Sequence, residues 1–386
     1  MTKRDPRHRL VALGCILAAC GDDDHERATP TLGEGEGQLD LLCWPGYAED
    51  GTTDPSVDWV SAFEEATGCQ VNVTLAGSSQ EMRALLEQGS FDAVSASGDL
   101  SVTLMTDDLV APLATELIPS YGDLFPDLTA QAWNSAGGDV YGVPIGRGAN
   151  VLVYNTESGP APDSWSVVFE SDSPYAGKVS IYDSPIYIAD AALYLMATRP
   201  ELGIRNPYAL DRAQLDAAVA LLSDQKAIVG QYWIDFTKQI EALSTGDVTA
   251  GTSWQIIVNL AVGGGATVAS VKPREGATGW SDSWMIPRAA KHPNCAYRWL
   301  EHYSSPATNA TVAEYFGMAP SSREACAKTV DPNHCAGYHA SDEAYWRDVW
   351  YWRTPQAKCA DGRTVTCTTW PEWQEAWDTV RAASPR

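Results

Sequence analysis

Two side chains late in the chain have the chemistry to bind a cation together. Trp280 and Asp282 are two residues apart in a stretch, 280–286, whose pattern predicts a strand. Residues two apart on a strand share one face, so the Asp282 carboxylate would lie beside the Trp280 indole. A carboxylate neutralises an ammonium group, and an indole face attracts cations. The pair predicts half of an amine-binding site, whereas the alternative is that Trp280 packs in the core or an interface.

Aromatic composition favours a binding cleft. The chain has 15 Trp and 16 Tyr but only 6 Phe. Trp and Tyr combine a flat apolar body with a polar edge, which suits the walls of a ligand cleft.

The first elements of the chain are expected to place further candidate ligand-binding residues on one rim of a sheet. Strand and helix patterns alternate there, with strands at 39–43, 71–75 and 91–95 and helices at 55–67 and 80–88. This order predicts an α/β fold with a doubly wound parallel sheet. Ligands of such sheets bind beyond the carboxyl ends of the strands. We therefore expect Trp44, Tyr47 and Asp99 on the same rim.

The middle of the chain adds three candidate ligand-binding residues. Residues 141–155 form two extended pieces around Arg147, which is typical of a strand that crosses between two lobes. Asp183 follows a predicted strand and is either a second carboxylate or a helix-capping or turn aspartate. Trp254 ends the strand predicted at 249–253.

The N-terminus predicts export. A basic head of four residues precedes the short apolar run 10–19, which ends in small residues before Cys20. This is typical of a secretory signal peptide (1–19), and the run is too short to span a membrane. The junction resembles a bacterial lipobox, which implies a lipid on Cys20 and a periplasmic or cell-envelope protein tethered to the membrane. The alternative is an ordinary signal peptide with an incidental cysteine. Residues 20–37 would be the lipidated cysteine and a flexible acidic tether.

Charge and motifs exclude several functions. The net charge is −24, and it would be −27 after loss of residues 1–19, which hold four basic residues and Asp5. Such a chain is not expected to bind nucleic acid. No CxxC or clustered Cys/His spacing indicates a metal, and no motif indicates a cofactor. A secreted glycosidase is the enzyme alternative, but no acid pair, HExxH or GxSxG motif supports catalysis.

Seven cysteines follow Cys20, and outside the cytoplasm disulfides are expected. Two pairs of cysteines that are close in sequence are expected to form disulfides that close short surface loops: Cys326 with Cys335, and Cys359 with Cys367. Cys43 should end a strand and Cys69 should begin its parallel neighbour, which would hold their thiols too far apart to bond. Cys69 is therefore paired with Cys295, and Cys43 is left free.

The chain resembles the periplasmic solute-binding proteins of ABC importers, and most closely the spermidine/putrescine-binding branch. The resemblance covers Leu39 to the C-terminus and is carried by CWPGY (43–47), FDAVS (91–95), YGVP (141–144), GTSW (251–254) and GWSDS (279–283). It implies a two-lobed periplasmic-binding-protein fold with a ligand cleft between the lobes. Lobe 1 would comprise 38–147 plus 283–322, and lobe 2 would comprise 148–282 plus 323–386.

The resemblance also implies a function: a monomer that captures a polyamine or another cationic amine and presents it to an inner-membrane ABC permease. Trp44 and Tyr47 would form the first rim of the cleft, and Trp254 the wall of lobe 2. Trp280 and Asp282 would lie at the return crossing, with Asp183 or Asp99 as a second carboxylate.

One residue departs from the family pattern. Arg147 stands where such proteins often carry an aromatic residue. Either Arg147 points away and pairs with an acid, or the ligand is a zwitterionic amine or amino-acid derivative whose anionic end it binds. A sugar ligand and a ligand-sensing role remain alternatives. The late aromatic residues Trp346, Trp350, Tyr351 and Trp352 are expected to brace the lobes.

Overall fold

A computed structural model describes residues 31–382. The predicted signal peptide and Cys20 lie outside these residues. Within residues 31–382, no helix combines the length and the apolar character needed to cross a membrane.

Strands and helices alternate through the chain. The strands are β1 (Gln38–Cys43), β2 (Gln70–Leu75), β3 (Ala93–Ala96), β4 (Ser135–Ala136), β5 (Asp139–Val140), β6 (Gly142–Pro144), β7 (Gly146–Asn155), β8 (Val179–Tyr182), β9 (Val229–Trp233), β10 (Ala250–Trp254), β11 (Val268–Val271), β12 (Ala277–Trp280), β13 (Ser283–Met285), β14 (Ala319–Pro320) and β15 (Val349–Tyr351). The helices are α1 (Val60–Thr67), α2 (Ser79–Gln88), α3 (Gly98–Thr106), α4 (Ser166–Phe169), α5 (Ile188–Thr198), α6 (Arg212–Gln225), α7 (Phe236–Thr245), α8 (Gln255–Gly263), α9 (Pro293–Ser304), α10 (Pro306–Phe316), α11 (His334–Gly337), α12 (Glu343–Trp346) and α13 (Trp370–Ala382).

The first sheet has the order β2-β1-β3-β13-β6. Strand β1 lies between β2 and β3 and is parallel to both, whereas β13 is antiparallel to its neighbours β3 and β6. All four residues of β3 are buried, as expected for a central strand covered on both faces. Helix α2 begins after Ser78, whose side chain accepts a hydrogen bond from the Glu81 backbone N–H. The α/β prediction is confirmed.

The second sheet follows the path β15-β12-β7-β10-β8-β9. Its longest strand, β7, also pairs with β11 and β14. Apolar side chains of Val151, Leu152 and Val153 are buried in the middle of β7, which places this strand in the core. The chain thus forms two lobes, each built on its own sheet, although the predicted lobe boundaries stay a prediction.

Two short segments connect the sheets. The first runs from β6 into β7, as the crossing strand predicted at 141–155 requires. The second runs from β12 to β13. The prediction of a single strand at 280–286 is wrong, because β12 pairs in the second sheet and β13 pairs in the first. Ser281 and Asp282 lie between them, and the Ile145 N–H donates a 2.9 Å hydrogen bond to the Asp282 carbonyl. The two connections therefore lie side by side.

The first helix begins later than its apolar spacing indicated. The predicted helix 55–67 starts at Val60, because the residues before it form a turn. The Val57 N–H donates to the Asp54 carbonyl at 2.8 Å, and Asp58 pairs with Asp50 as an isolated bridge. Local hydrogen bonds thus replace the first helical turns.

The three predicted disulfides are present, and Cys43 is buried and forms no disulfide within residues 31–382. The pairs are Cys69–Cys295, Cys326–Cys335 and Cys359–Cys367. The first pair joins the start of β2 to helix α9 across 226 residues.

The last residues of the predicted flexible tether are attached to the first lobe. The Glu36 carboxylate accepts hydrogen bonds from the Asn294 and Cys295 backbone N–H groups at 3.0 and 2.9 Å. These N–H groups belong to the first turn of α9, where a carboxylate is favoured by the helix dipole. The Gly33 N–H donates to the Asn294 side chain. Gly33 and Glu36 thus contact α9, while the extent of the flexible tether stays a prediction.

Candidate ligand-binding site

A cavity of about 540 Å³ is lined by residues that follow strands of both sheets. Trp44 follows β1, and Asp235 follows β9. Parallel strands place ligand-contacting residues at their carboxyl ends, which explains why separate segments converge here. Five sequence-predicted residues line this cavity: Trp44, Tyr47, Trp254, Trp280 and Asp282.

The Asp282 carboxylate is the buried acid of this cavity, with 6 % of the residue exposed. The Tyr47 hydroxyl donates a 2.9 Å hydrogen bond to its Oδ2. Its Oδ1 has no hydrogen-bond partner within residues 31–382. Burial raises the pKa of Asp282 to about 7, and the neighbouring hydroxyls of Ser97 and Tyr47 oppose that rise. A ligand ammonium could donate to Oδ1 and stabilise the ionised form.

Aromatic rings form much of the remaining wall. Tyr182 and Trp352 are parallel, with centroids 6.0 Å apart and 4° between the planes. Trp254 lies 5.4 Å from Tyr182 and 6.3 Å from Trp352. Phe316 lies 5.9 Å from Trp280. These rings offer apolar faces to methylene groups and negative π faces to a cation.

Electrostatics favour a positively charged ligand. Among the described residues that line the cavity, three are acidic (Glu81, Asp235 and Asp282) and none is Lys, Arg or His. Glu81 and Asp235 are exposed. The Gly77 N–H donates to Glu81 at 2.8 Å, and the Thr237 N–H donates to Asp235 at 2.9 Å. These contacts hold both carboxylates at the rim.

Asp99 lies behind the cavity wall rather than on it. Its Oδ1 accepts a 2.9 Å hydrogen bond from the Ser79 hydroxyl, and Ser79 lines the cavity. Burial raises the pKa of Asp99 to about 6. The prediction of direct ligand contact is corrected: Asp99 lies in the first turn of α3, where it accepts the hydrogen bond from Ser79 and does not line the cavity.

Asp183 is also outside the cavity. Its Oδ1 accepts a 3.1 Å hydrogen bond from the Trp377 indole N–H and forms an ion pair with the Arg381 Nε at 3.1 Å. Both partners belong to α13, which the local pattern around Asp183 could not reveal. The prediction of a second ligand carboxylate is corrected to an ion pair that attaches the C-terminal helix.

Arg147 is buried on another surface, with 2 % exposed, and does not line this cavity. Its guanidinium forms an ion pair with Asp127 and donates to the Ala340 carbonyl at 2.9 Å. It also lies over the Trp346 ring, 4.3 Å from the centroid. The predicted ligand contact is therefore corrected, and the explanation in which Arg147 pairs with an acid is the one observed.

Sequence reasoning missed three aromatic residues of the cavity: Tyr182, Phe316 and Trp352. Trp352 belongs to the cluster predicted to brace the lobes, and it also lines the cavity. Its neighbours Trp350 and Tyr351 lie in a different cavity. Tyr182 ends β8, so its position at a carboxyl end was the available signal.

One cluster of side chains brings metal-ligand atom types together, namely Asp40, Asp92 and His292, whose atoms lie within 4.8 Å. The Asp92 carboxylate already accepts hydrogen bonds from the Asp40, Lys291 and His292 backbone N–H groups. The His292 ring also contacts it at 2.8 Å. These contacts join β1 to the segment before α9, so the cluster has a structural role.

Comparison with known proteins agrees with this architecture. The "Spermidine/putrescine-binding periplasmic protein 1" of Haemophilus influenzae is 24 % identical over 87 % of this chain and 91 % of its own. A solved structure of a "putative spermidine/putrescine ABC transporter" from Listeria monocytogenes has a TM-score of 0.73 at 18 % identity, covering 90 % and 99 % of the two chains. The PBP MotA from A. tumefaciens B6, solved in complex with glucopine, has a TM-score of 0.69 at 19 % identity, covering 89 % and 99 %.

The two solved structures support the periplasmic-binding-protein fold. The family described as bacterial extracellular solute-binding protein matches residues 58–334, which include most of both lobes. Members of such a family bind solutes and are not enzymes. The chain belongs to the bacterial extracellular solute-binding protein family.

Proposed function

We propose that this protein is the substrate-binding lipoprotein of an ABC importer and that it captures a polyamine or a related cationic amine. One observation carries the proposal: within residues 31–382, the buried Asp282 carboxylate has an oxygen without a hydrogen-bond partner, and its aromatic-walled cavity is lined by acids and no base. A buried carboxylate is costly unless it is paired, and a bound ammonium supplies that pairing.

The shape of the cavity suits a chain with charged ends. One ammonium group binds Asp282, and the methylene groups lie along Trp254, Trp352 and Tyr182. A second ammonium group reaches the exposed carboxylate of Glu81 or Asp235 at the rim. Attraction at the rim is weaker than at Asp282, because water screens exposed charges.

The relatives support the same ligand class, since the curated relative named above is a spermidine/putrescine-binding protein. The glucopine complex supports a second candidate, a zwitterionic amine, on the same fold. Such a ligand needs a cation for its carboxylate. The ion pair of Arg147 with Asp127, outside the cavity, argues against it.

The cellular setting is part of the proposal. The N-terminal sequence supports cleavage before Cys20, lipidation of that cysteine and attachment to a membrane of the cell envelope. The protein would act there as a monomer, and its ligand-bound form would be recognised by an inner-membrane permease. Closure of the two lobes on the ligand would distinguish that form, because binding energy shifts the protein toward the closed state.

Thermal unfolding with a ligand panel tests the proposal. Putrescine and spermidine are compared with 1,4-butanediol, glycine betaine, arginine and maltose. A ligand present at 100 times its Kd should stabilise the protein by about 2.7 kcal/mol. We expect stabilisation by the polyamines and none by the diol, which lacks the charges. Stabilisation only by betaine, arginine or maltose would refute the polyamine assignment.

A further inference from the structure

A second cavity, of about 810 Å³, shares no lining residue with the amine cavity. One wall comes from the loop around Phe125–Asp127, and the other from the segment of β15 and the residues after it. Tyr351 and Arg353 line this second cavity, whereas Trp352 between them lines the first. The two cavities therefore lie on opposite sides of one extended segment.

The charge of the second cavity is opposite to that of the whole protein. Four arginines line it, Arg147, Arg323, Arg347 and Arg353, against two carboxylates, Asp127 and Glu343. The chain has 26 Lys and Arg in total and a net charge of −24. A group of four arginines around one cavity is therefore a local concentration of positive charge, which attracts anions.

Three of these arginines are incompletely paired within residues 31–382. Arg353 and Arg347 form no ion pair with any residue in 31–382, and burial lowers the pKa of Arg353. Arg147 is 2 % exposed, and its Nε has no hydrogen-bond partner in the part of the chain described. Arg147 thus remains a buried, incompletely paired guanidinium in the cavity wall.

Aromatic rings flank the same arginines. The rings of Trp133 and Tyr351 lie 4.7 Å apart, and Trp346 lies beneath the Arg147 guanidinium. Tyr208 adds another buried ring. Planar rings beside guanidinium groups suit a ligand with a flat apolar body and an anionic group.

We propose that this second cavity binds a small aromatic carboxylate. Its carboxylate would accept hydrogen bonds from Arg353 and Arg347, since guanidinium groups match carboxylate geometry. Its ring would lie against Trp133 and Tyr351. No residue lines both cavities, so a test of carboxylate binding in the second cavity does not depend on whether the first cavity binds an amine.

Isothermal titration of the full-length protein in detergent tests the proposal, with benzoate as the probe. Benzamide has the same shape without the charge, and inorganic phosphate is an anion without the ring. We expect saturable binding of benzoate that is about tenfold or more stronger than binding of benzamide or phosphate.

Variants assign the binding to this cavity. Arg353→Gln and Arg347→Gln should each weaken benzoate binding about tenfold. The control Arg274→Gln changes an exposed arginine that pairs with Asp163 outside the cavity and should have no effect. Arg347 is exposed, so its variant keeps the test valid if the Arg353 variant does not fold. No saturable benzoate binding, equal binding of benzamide, binding of phosphate alone, or unchanged affinity in Arg347→Gln would each overturn the proposal.

Discussion

The Tyr47 hydroxyl donates a 2.9 Å hydrogen bond to the Asp282 carboxylate, although 235 residues separate them in the chain. Tyr47 follows the first strand of the first sheet, and Asp282 lies on the return connection from the second sheet. The contact holds one carboxylate oxygen, and the other has no hydrogen-bond partner within residues 31–382. The connection between the lobes and the proposed binding group are thus the same short segment.

Replacing Asp282 tests its role as the counter-charge. Asp282→Asn keeps the size of the side chain but removes the charge, and we expect putrescine affinity to fall at least tenfold, measured by isothermal titration. The control is Asp183→Asn, which removes a carboxylate bound to α13 outside the cavity and should leave affinity unchanged. Equal affinities in the wild type and Asp282→Asn would contradict the proposed site.

Amine affinity should depend on pH through Asp282. Its pKa is raised to about 7 by burial, so the carboxyl group is largely protonated below that pH. An aliphatic amine stays charged throughout this range. Affinity should therefore be about 100-fold weaker at pH 5 than at pH 8, since two pH units below the pKa leave about 1 % ionised. Titrations at both values measure this, and Asp282→Asn should lack most of the dependence.

The same burial predicts how the ligand-free protein responds to pH. A carboxyl group with a pKa of about 7 when folded and 3.8 when unfolded binds more protons in the folded state between these values. Its contribution to the free energy of unfolding therefore falls as pH rises from 4 to 7, by up to about 4 kcal/mol. Urea unfolding of the wild type and Asp282→Asn should show their difference changing in that direction. A difference in unfolding free energy that does not change with pH would contradict this contribution of Asp282.

Two neighbouring tryptophans should differ in their effect on amine binding. Trp352 lines the amine cavity, whereas Trp350 lines the second cavity. We expect Trp352→Ala to weaken spermidine binding about tenfold, because it removes a ring face and apolar contact. Trp350→Ala should change spermidine affinity less than twofold by the same titration. A larger loss of spermidine affinity in Trp350→Ala than in Trp352→Ala would show that Trp352 does not form the wall of the amine cavity.

The ion pair between Arg147 and Asp127 should matter for stability but not for amine binding. Asp127→Ala leaves the buried guanidinium without its carboxylate and should lower the free energy of unfolding by about 1–2 kcal/mol. The cost is limited because Asp127 is half exposed. Urea unfolding measures the loss, and putrescine titration should give the wild-type Kd. A large loss of amine affinity would instead return Arg147 to the ligand site.

The Cys69–Cys295 disulfide should be the most stabilising of the three, since it closes a loop of 226 residues. In the chain-entropy description, longer loops gain more, and removal typically costs 2–5 kcal/mol. The double variant Cys69→Ala with Cys295→Ala should lower the urea midpoint. The matched double variant of Cys326 and Cys335, whose loop spans nine residues, should lower it less.

Sequence reasoning predicted the α/β order, most of the first elements and the three disulfides of this protein, whereas the start of α1 and the strand at 280–286 differ. Strand β1 and helix α2 lie within a residue of their predictions, because their patterns reflect contacts that any such element makes. Trp280 and Asp282 both line the cavity, but they do not share a strand. They lie at a connection where the chain changes sheets, which no two-residue periodicity describes.

Only the tertiary structure decided which acids and aromatics meet the ligand cavity. Asp183 and Asp282 look alike in sequence, yet the first pairs with Arg381 of the distant α13 and the second keeps an unpartnered oxygen. The sequence does not distinguish Trp352 from its aromatic neighbours. Its position in the cavity depends on the pairing of β15 with β12. The physical reason is that the charge environment of a side chain depends on partners hundreds of residues away. Spacing along the chain constrains only its immediate neighbours.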